Sequence, residues 1–486
     1  MKKSFFAIMA LLFATATHNV LAATITVTSA EDSGEGSLRD AVAGAAHGDV
    51  ITFNIQVNSI PTNTTSYIES GKVAIKLTSG EIRFDKRLTF KGDGKIILDG
   101  GSSGRILNYD AYRTLTLDGL TFKNGDIARS VSNRIATVPG RVNLPNHNRR
   151  GQSRDAGSSG GAVLAGGFVE VTNCDFINNH AGSNGGAIFA HGSITASGCK
   201  FSDNTTLFSG NGGAIHAGNG AITITDCVFS SNMTGNGSGA VFLEKGVITA
   251  TDCVFTGNNA DQYGGAVCVN DGAFAATGCA FSGNSAALGG AAYANPTITV
   301  MNCTFTDNAA DSGGGAIVSV IVAAANSVFV GNRTGSVGSG AIAADGYAYL
   351  YHATVADNIG TGVGAYLLGI HNSIVTGNSA AVQVGSGNSS AISVIPAENI
   401  TGIGLIEGIT DGVTRAAVFG KNESDAAGII KPLAGGIADK TADALTADEI
   451  NVPKNVKAAD IIAALQKDIS GAPRPVTGKV SFGAKE

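Results

Sequence analysis

The stretch CVFTGNNADQYGGAVCVNDGAFAATGCAFSGNSAALGGAAYANPTITVMNCTFTDN, residues 253–308, holds the pattern that decides the fold. Three times in this stretch a phenylalanine follows a cysteine by two residues and precedes an asparagine by three, and a Gly-Gly-Ala triplet stands between successive copies. Short runs of β-branched and aromatic residues separated by Gly, Asn and Asp are typical of strands joined by tight turns. The stretch therefore predicts a set of short strands that recurs with every copy of the pattern.

The same two signatures continue on both sides of this stretch. The Phe-x-x-Asn signature also begins at Phe176, Phe201, Phe229 and Phe329, and continues in weaker form at Val355 and Val375. The Gly-Gly-Ala signature also begins at Gly160, Gly185, Gly212 and Gly314, with close variants at Ser238 and Ser339. A repeat of about 24–28 residues is in the range of solenoid proteins. Each repeat holds three strand-like pieces, which are Gly-Gly-Ala-[Ile/Val], an Ile- and Thr-rich segment, and Cys-x-Phe. The repeat predicts an all-β fold, a right-handed parallel β-helix solenoid of the pectin-lyase-like kind, in which each strand pairs with its copy about 4.8 Å away.

Two columns of residues are expected inside this solenoid. Cysteine and phenylalanine lie two positions apart, so they share one strand face, which we place inward. The cysteines of this column are Cys174, Cys199, Cys227, Cys253, Cys279 and Cys303. Neighbouring coils bring such cysteines within disulfide range, whereas a buried cysteine often serves as a small apolar side chain; free thiols are favoured and both states stay open. The recurrent asparagine is expected in a left-handed turn, with stacked amides bonded to one another.

The two ends of the chain differ from the repeats. Residues 1–22 have a positive start, a short apolar run and small residues at their end, which predicts a secretory signal peptide. Residues 23–115 are assigned to an N-terminal cap and the first coils, with Ser37 capping a short helix over 38–46 ahead of a strand over 50–55. Residues 116–380 form the repeat β-helix. Residues 381–486 hold degenerate coils, a helix around 458–467 and a C-terminal cap.

Composition and charge exclude several classes of protein. Hydrophobic residues make up 43% of the chain and charged residues 14%, a balance that a disordered chain would not show. The net charge of −6 argues against specific nucleic-acid binding. No apolar stretch after the signal peptide is long enough for a transmembrane helix. No catalytic, cofactor-binding or metal-ligand motif is found, so no cofactor or metal is expected and enzymatic activity is not favoured.

The repeats resemble those of chlamydial polymorphic outer membrane proteins and of secreted bacterial β-helix proteins that share them. The resemblance covers roughly residues 115–380 and rests on the two signatures recurring in fixed order. Residues 37–42, SLRDAV, look like the N-terminal CSLREA segment of such proteins, with Gly36 in place of its cysteine and Asp40 in place of its glutamate. Residues 468–475 and 482–486 are similar to the closing segment of the same group, with Ser470 and Ser481 as departures. The resemblance implies the β-helix fold and an extracellular or cell-surface location.

A further column runs along the Gly-Gly-Ala strands, one residue after the aliphatic position that follows the alanine. It contains Phe189, His216, Phe242 and Tyr293. Strand alternation places this column on the face opposite to the aliphatic residues. If the aliphatic residues point inward, the column forms an exposed aromatic stripe, able to stack on sugar rings or to hold a protein partner. The sequence leaves the opposite orientation, with this column inside, equally open.

One coil carries a long polar insert, loop 125–159. It contains six arginines, which are Arg129, Arg134, Arg141, Arg149, Arg150 and Arg154. A basic loop on an acidic chain indicates contact with an anionic polymer or surface. A solvated loop without a ligand is the plainer alternative. The insert leaves the solenoid beside a Gly-Gly-Ala strand, so we expect it to flank the aromatic column.

These observations favour a secreted or cell-surface β-helix protein, adhesin-like, that binds a polysaccharide, an anionic polymer or a host or extracellular surface without catalysis; the periplasm is an alternative location. The second hypothesis is a polysaccharide lyase or hydrolase of pectate-lyase-like fold, which needs charged residues of neighbouring coils to converge on one groove. No strand shows a repeated charged register, and turn chemistry explains Asp226 and Asp252, each just before a cysteine, better than glycoside hydrolysis does. A purely structural surface protein is the third hypothesis. Fold alone points to function only by analogy.

Overall fold

The structure, a computed structural model, describes residues 22–56, 66–128, 156–207, 209–335 and 338–384, with the short stretches 390–396, 400–401, 405–406, 442–443 and 479–480. Over these ranges the chain is an all-β parallel solenoid of about 11 turns. The predicted all-β parallel β-solenoid is therefore confirmed. The predicted signal peptide up to residue 21, the six arginines of the insert, the predicted C-terminal helix and most of the closing segment lie outside the described residues.

The N-terminal cap is a short helix, Leu38–Gly44, laid over the first coils. The Ser37 side chain accepts a hydrogen bond from the main-chain N–H of Asp40, as an N-cap residue does. The helix ends two residues earlier than expected because Ala45 already has extended dihedral angles, φ −67° and ψ 153°. The strand that follows is Val50–Phe53, inside the predicted range. The cap closes the end of the sheet, which would otherwise offer unpaired strand edges.

The first coils carry no repeat signature, yet they already stack in parallel. Their strands are Thr24–Val27, Val50–Phe53, Tyr67–Glu69, Lys72–Lys76, Ile82–Phe84, Thr89–Asp99, Leu107–Tyr109 and Thr114–Lys123. Tyr67–Glu69 and Lys72–Lys76 form an antiparallel hairpin. The register then runs coil to coil, and Ile82–Phe84 pairs residue for residue with Leu107–Tyr109. This pairing matters below because it places charged side chains of neighbouring coils side by side.

The repeat region contains the three expected strands in every coil. The Gly-Gly-Ala and Ile/Thr strands are separate in Val163–Ala165, Phe168–Thr172, Ile188–Ala190 and Ile194–Ser197. In later coils the two merge into one bent strand, seen in Ile215–Thr225, Val241–Thr251, Val267–Thr277, Ala292–Met301, Ile317–Ala325 and Ser339–Tyr351. The Cys-x-Phe strands and their successor are Asp175–Ile177, Lys200–Ser202, Val228–Ser230, Val254–Thr256, Ala280–Ser282, Thr304–Thr306, Val328–Val330 and Thr354–Ala356.

A fourth, very short strand follows the asparagine of each coil, and the sequence did not predict it. These strands form a separate seven-stranded sheet of His180–Ala181, Thr205–Thr206, Met233–Thr234, Asn259–Ala260, Ser285–Ala286, Ala309–Ala310 and Arg333–Thr334. Two residues are too few to show the alternation by which a strand is recognised. Further along the chain the strands are Thr361–Thr376, Ala380–Val384, Ser390–Pro396, Ile400–Thr401, Leu405–Ile406, Ala442–Asp443 and Lys479–Val480.

The phenylalanines of the Cys-x-Phe strands, together with Phe122 and Phe329, form one continuous stack along the solenoid axis. Its members are Phe122, Phe176, Phe201, Phe229, Phe255, Phe281, Phe305 and Phe329. Successive ring centroids lie 4.6–5.0 Å apart with ring planes within 6° of parallel. The inward placement of this column is confirmed. Each ring is fully buried, so the stack contributes both apolar burial and ring–ring contacts to every coil interface.

The recurrent asparagines form a buried column of amides that runs beside the phenylalanine stack. Asn258 is typical: its Nδ2 donates to Oδ1 of Asn284 and to the main-chain carbonyl of Phe229, both at 3.0 Å. Its Oδ1 accepts from the main-chain N–H and the Nδ2 of Asn232 at 3.1 and 2.9 Å. The predicted amide stacking is confirmed. These buried polar side chains cost little because every strong donor and acceptor is matched.

The left-handed turn does not fall on the column asparagine itself, contrary to expectation. The residue before it takes that conformation, as at Asp203 (φ 56°) and Asp307 (φ 55°). The asparagine side chain points inward to its column, so the preceding residue must reverse the chain, and Asp, Asn, Ser and Gly tolerate this best. The residue before each cysteine of the column behaves likewise. Asp226 and Asp252 have φ of 52° and 51°, which confirms that turn chemistry explains them.

All seven cysteines are free and buried, so the favoured prediction of stacked thiols is confirmed. In each column cysteine the thiol donates to the carbonyl two residues earlier, for example from Cys227 to Thr225 at 3.2 Å. Ser327 takes the next position of the column, and its Oγ accepts the N–H of Cys303 at 3.2 Å. Burial raises the pKa of the Cys174 thiol to about 12. A small, uncharged hydrogen-bonding side chain is thus what the position requires.

Candidate functional site

The aromatic column of the Gly-Gly-Ala strands lies on the outer side of its sheet but is not exposed. Phe189, His216 and Phe242 are only 6%, 2% and 4% exposed. Their rings stack with centroids 5.1 and 5.0 Å apart. The neighbouring aliphatic residue Ile188 belongs to the central core, which confirms the alternation. The predicted exposed stripe is therefore wrong for these three residues, because a sugar ring cannot reach their faces.

The residues that lead into each Gly-Gly pair cover this column. A Cβ at Gly237 would stand 3.0 Å from Cε2 of Phe242, so the chain passes directly over that ring. Gly237 pairs with Tyr263, which pairs in turn with Leu288 of the next coil. Tyr293 is half-buried, and its ring lies 4.9 Å from that of Tyr263. These connections therefore form a second layer over the sheet, which the sequence did not predict.

The same column continues toward the N-terminus, where it becomes polar and opens to solvent. Phe189 pairs with Leu164, Leu164 with Asn108, and Asn108 with Arg83. At this end lies a cleft of about 440 Å³, whose lining includes Glu81, Arg83, Arg105, Asn108, Asp110, Ile127, Gly157 and Leu164. We call it the charged cleft. Its volume falls in the range of about 300–1,000 Å³ that is usual for small-molecule sites.

Arg105 forms the floor of the charged cleft and is almost fully bonded within the protein. It is 3% exposed, and its Nη1 lies 2.5 Å from Oε2 of Glu81. Its other donors bind the main-chain carbonyls of Gly157 at 2.7 Å, Ser159 at 2.9 Å and Gly160 at 2.9 Å. Burial lowers the pKa of this guanidinium, and the carboxylate of Glu81 opposes that shift. Arg105 thereby anchors the C-terminal end of the insert to the solenoid.

Asn108 and an ion pair complete the cleft. Nδ2 of Asn108 donates to Oε1 of Glu81 at 2.7 Å. Its Oδ1 is buried without a hydrogen-bond partner among the described residues, although Asn108 is only 5% exposed. At the mouth, Nε of Arg83 lies 2.5 Å from Oδ2 of Asp110 in an exposed ion pair. Leu164 is half-buried and adds an apolar wall. The cleft thus combines an apolar wall, two ion pairs and one unfilled acceptor.

The basic insert begins and ends at this cleft. On the N-terminal side, the N–H of Ile127 donates to the carbonyl of His180 at 3.0 Å, and Asp126 accepts the N–H of Ala128 at 2.9 Å. On the C-terminal side stands Gly157, held by Arg105. The C-terminal end of the insert leads directly into the Gly-Gly-Ala strand Val163–Ala165, whereas its N-terminal end pairs with His180 of the short fourth sheet. Its six arginines lie outside the described residues.

Sequence reasoning missed the charged residues of this cleft. No charged register is seen within the repeats, and Glu81, Arg83, Arg105 and Asp110 belong to two coils that carry no repeat signature. A signal was available in the strands Ile82–Phe84 and Leu107–Tyr109. Each has an apolar–polar–apolar order, so their central residues had to share the outer face once the strands were paired.

The fold and the site define a parallel β-solenoid built from short repeated coils, with a charged cleft where the repeats begin. Four stretches match the Chlamydia polymorphic membrane protein (Chlamydia_PMP) repeat, at residues 173–191, 198–218, 252–270 and 302–320. Each match runs from the turn before a Cys-x-Phe strand to the following Gly-Gly-Ala strand, which confirms the resemblance of these repeats. No curated protein matches the chain. Within the described ranges, no helix has the length and apolar character that a membrane span requires.

Proposed function

We propose that this chain is an exported, surface-exposed β-solenoid that binds an extracellular polymer or a host surface without catalysis, in the manner of an adhesin. The proposal rests on the placement of the basic insert, whose two ends are fixed at the rim of the charged cleft. The matched repeat, from a family named for membrane proteins, supports a surface location. Solenoids generally bind partners along their extended sides, which supports a binding role.

In this proposal the six arginines of the insert, Arg129, Arg134, Arg141, Arg149, Arg150 and Arg154, contact an anionic polymer. Guanidinium groups bind carboxylate, sulfate and phosphate in a bidentate manner, and a cluster of them attracts a polyanion over several ångströms. The bonds from Arg105 hold the base of the insert in place, which lowers the entropy lost when the insert binds. Binding should therefore weaken steeply as salt concentration rises.

A polysaccharide lyase or hydrolase remains the second candidate, because one observation favours it. Glu81, Arg83, Arg105 and Asp110 come from two coils and meet in one cleft, as such an enzyme requires. Both carboxylates, however, are bound to arginines within the protein. Because both carboxylates are already engaged by arginines of the protein, the arrangement supports binding better than acid–base chemistry.

A glycan-array and extracellular-matrix screen on the purified protein tests the proposal, with heparin and hyaluronan as polyanion probes. Two matched variants carry the six insert arginines changed to glutamine or to lysine. We expect salt-dependent binding that the glutamine variant loses and the lysine variant largely retains. Equal binding by all three proteins would show that the insert has no role in binding. No binding by any of them would favour a purely structural protein. Release of reducing or unsaturated sugar on the same plates would favour the enzyme.

A further inference from the structure

The guanidinium of Arg83 brings an exposed positive charge to the charged cleft, whose wall it helps to form. Its side chain is 67% exposed, and within the described residues only its Nε is hydrogen-bonded, to Oδ2 of Asp110 at 2.5 Å. An arginine carries five N–H donors, so the four on its two Nη groups remain open to a ligand. Arg83 therefore offers the cleft both hydrogen-bond donors and a positive charge.

The other charged side chains of the cleft are bonded to one another or to the main chain. Glu81 accepts from Arg105 through Oε2 and from Asn108 through Oε1. Nε and Nη2 of Arg105 donate to main-chain carbonyls at the C-terminal end of the insert. Asp110 uses only Oδ2 among the described residues, which leaves Oδ1 open on a side chain that is 40% exposed. The groups left for a ligand are thus the Nη donors of Arg83 and one carboxylate oxygen beside them.

These open groups match a carboxylate that stands next to a hydroxyl. Because Asp110 occupies Nε, the free edge of Arg83 is the one between its two Nη groups, and a planar carboxylate binds such an edge through two parallel hydrogen bonds. An ammonium group would be repelled by Arg83 and Arg105, and a doubly charged phosphate would be repelled by Asp110 more strongly than a carboxylate is. A hydroxyl beside the carboxylate can donate to Oδ1 of Asp110. Uronic acid sugars carry both groups on one ring.

We propose that the charged cleft binds one uronic acid residue of an anionic polysaccharide, with the Nη groups of Arg83 binding its carboxylate. A ring hydroxyl donates to Oδ1 of Asp110, and the half-buried Leu164 packs against the C–H face of the sugar. The cleft volume of about 440 Å³ accommodates a ligand of this size. This inference rests on the proposed polymer binding and names the acidic sugar that the solenoid itself recognises, apart from the arginines of the insert.

Saturation-transfer NMR titration of simple sugars into the full chain tests this assignment. Methyl β-D-glucuronide carries a carboxylate where methyl β-D-glucoside has a hydroxymethyl group, so we expect the glucuronide to bind about tenfold more tightly or better. Arg83→Gln removes the charge and the two-donor edge, and should weaken glucuronide binding about tenfold or more. Arg333→Gln, the same change at an exposed arginine of the short fourth sheet, is the matched control and should leave binding unchanged. D-glucose 6-sulfate and D-glucosamine are the other anionic probe and the cationic probe.

The outcomes separate this inference from the proposed function. Glucuronide binding that Arg83→Gln loses, and that both Arg333→Gln and the six-glutamine insert variant keep, supports the cleft. Glucoside binding as tight as that of the glucuronide, preferential binding of the sulfate or of glucosamine, or no binding of any probe overturns it. Glucuronide binding that Arg83→Gln keeps or that the insert variant loses overturns it as well. Insert-dependent binding of heparin that persists in those cases leaves the proposed function standing. Should Arg83→Gln fail to fold, Leu164→Trp narrows the cleft from its half-buried wall, and undiminished glucuronide binding by that variant also overturns the inference.

Discussion

Replacing Asn258 with alanine tests the amide column in the middle of the solenoid. The side chain makes four hydrogen bonds of 2.9–3.1 Å, two as donor and two as acceptor. A buried hydrogen bond contributes about 1 kcal/mol net, and partners left unfilled add to that cost. We therefore expect the free energy of unfolding to fall by about 4 kcal/mol or more. Coils of a solenoid contact only their neighbours, so the loss should be concentrated in the adjoining coils.

Urea unfolding combined with amide hydrogen exchange of the full chain measures both the size and the location of the effect. Asn259→Ala is the matched control, because Asn259 is the next residue, is half-buried, and its side chain makes one hydrogen bond among the described residues, to Oγ of Ser285 at 2.7 Å. Its loss should cost about 1 kcal/mol or less. Equal costs for the two variants, or a cost below about 1 kcal/mol for Asn258→Ala, would refute the reasoning that the amide column holds the coils together.

Three further predictions concern the core and the cap. All seven cysteines are free and buried, so the native protein should resist a thiol reagent, and seven thiols should react after denaturation. A protein mass lower by two hydrogens for each disulfide bridge would contradict this. Gly265→Ala should lower the free energy of unfolding, measured in urea, by about 2 kcal/mol or more, because a Cβ there overlaps the carbonyl oxygen of Gly290. Gly44 has open space around it, so Gly44→Ala should change the free energy of unfolding by less than about 1 kcal/mol. Two main-chain N–H groups lower the pKa of Asp49 below its usual 3.8. The stability that the Asp49 carboxylate contributes is complete above the usual pKa and is lost as pH falls through the lowered pKa. The difference in melting temperature between wild type and Asp49→Asn should therefore disappear at strongly acidic pH. A difference that stays constant with pH would contradict this.

Most of the fold that the sequence could predict concerns the inward-facing residues. Phe255 and Asn258 each contact their own copies in the coils before and after, so a change in one coil would leave its neighbours unmatched. Because identical residues of neighbouring coils contact one another, these residues recur in the sequence once per coil. The column of cysteines is predicted for the same reason. Ser327 takes one position of this column and accepts the N–H of Cys303, so the position needs only a small side chain that can form a hydrogen bond.

What the sequence could not predict lies on the outer side of the coils. The burial of Phe189 and Phe242 depends on where the connections before each Gly-Gly pair run, and those connections share no motif that fixes their path. The short strand Thr205–Thr206 is too brief to show a period. The charged cleft lies in coils without repeats, where Glu81 and Arg105 become neighbours only after the register is known.

The amide column also has a direction. From Asn179 to Asn358 every side-chain amide donates to the amide oxygen of the coil after it, and Asn378 is the last acceptor, so the amide dipoles point the same way along the axis. Aligned dipoles polarise one another, as peptide dipoles do in a helix. The acceptor end is occupied by the N–H of Gly125, 2.9 Å from Oδ1 of Asn179. A single inverted amide would set two oxygens face to face, so the solenoid can lengthen or shorten in evolution only by whole coils that keep this electrical polarity.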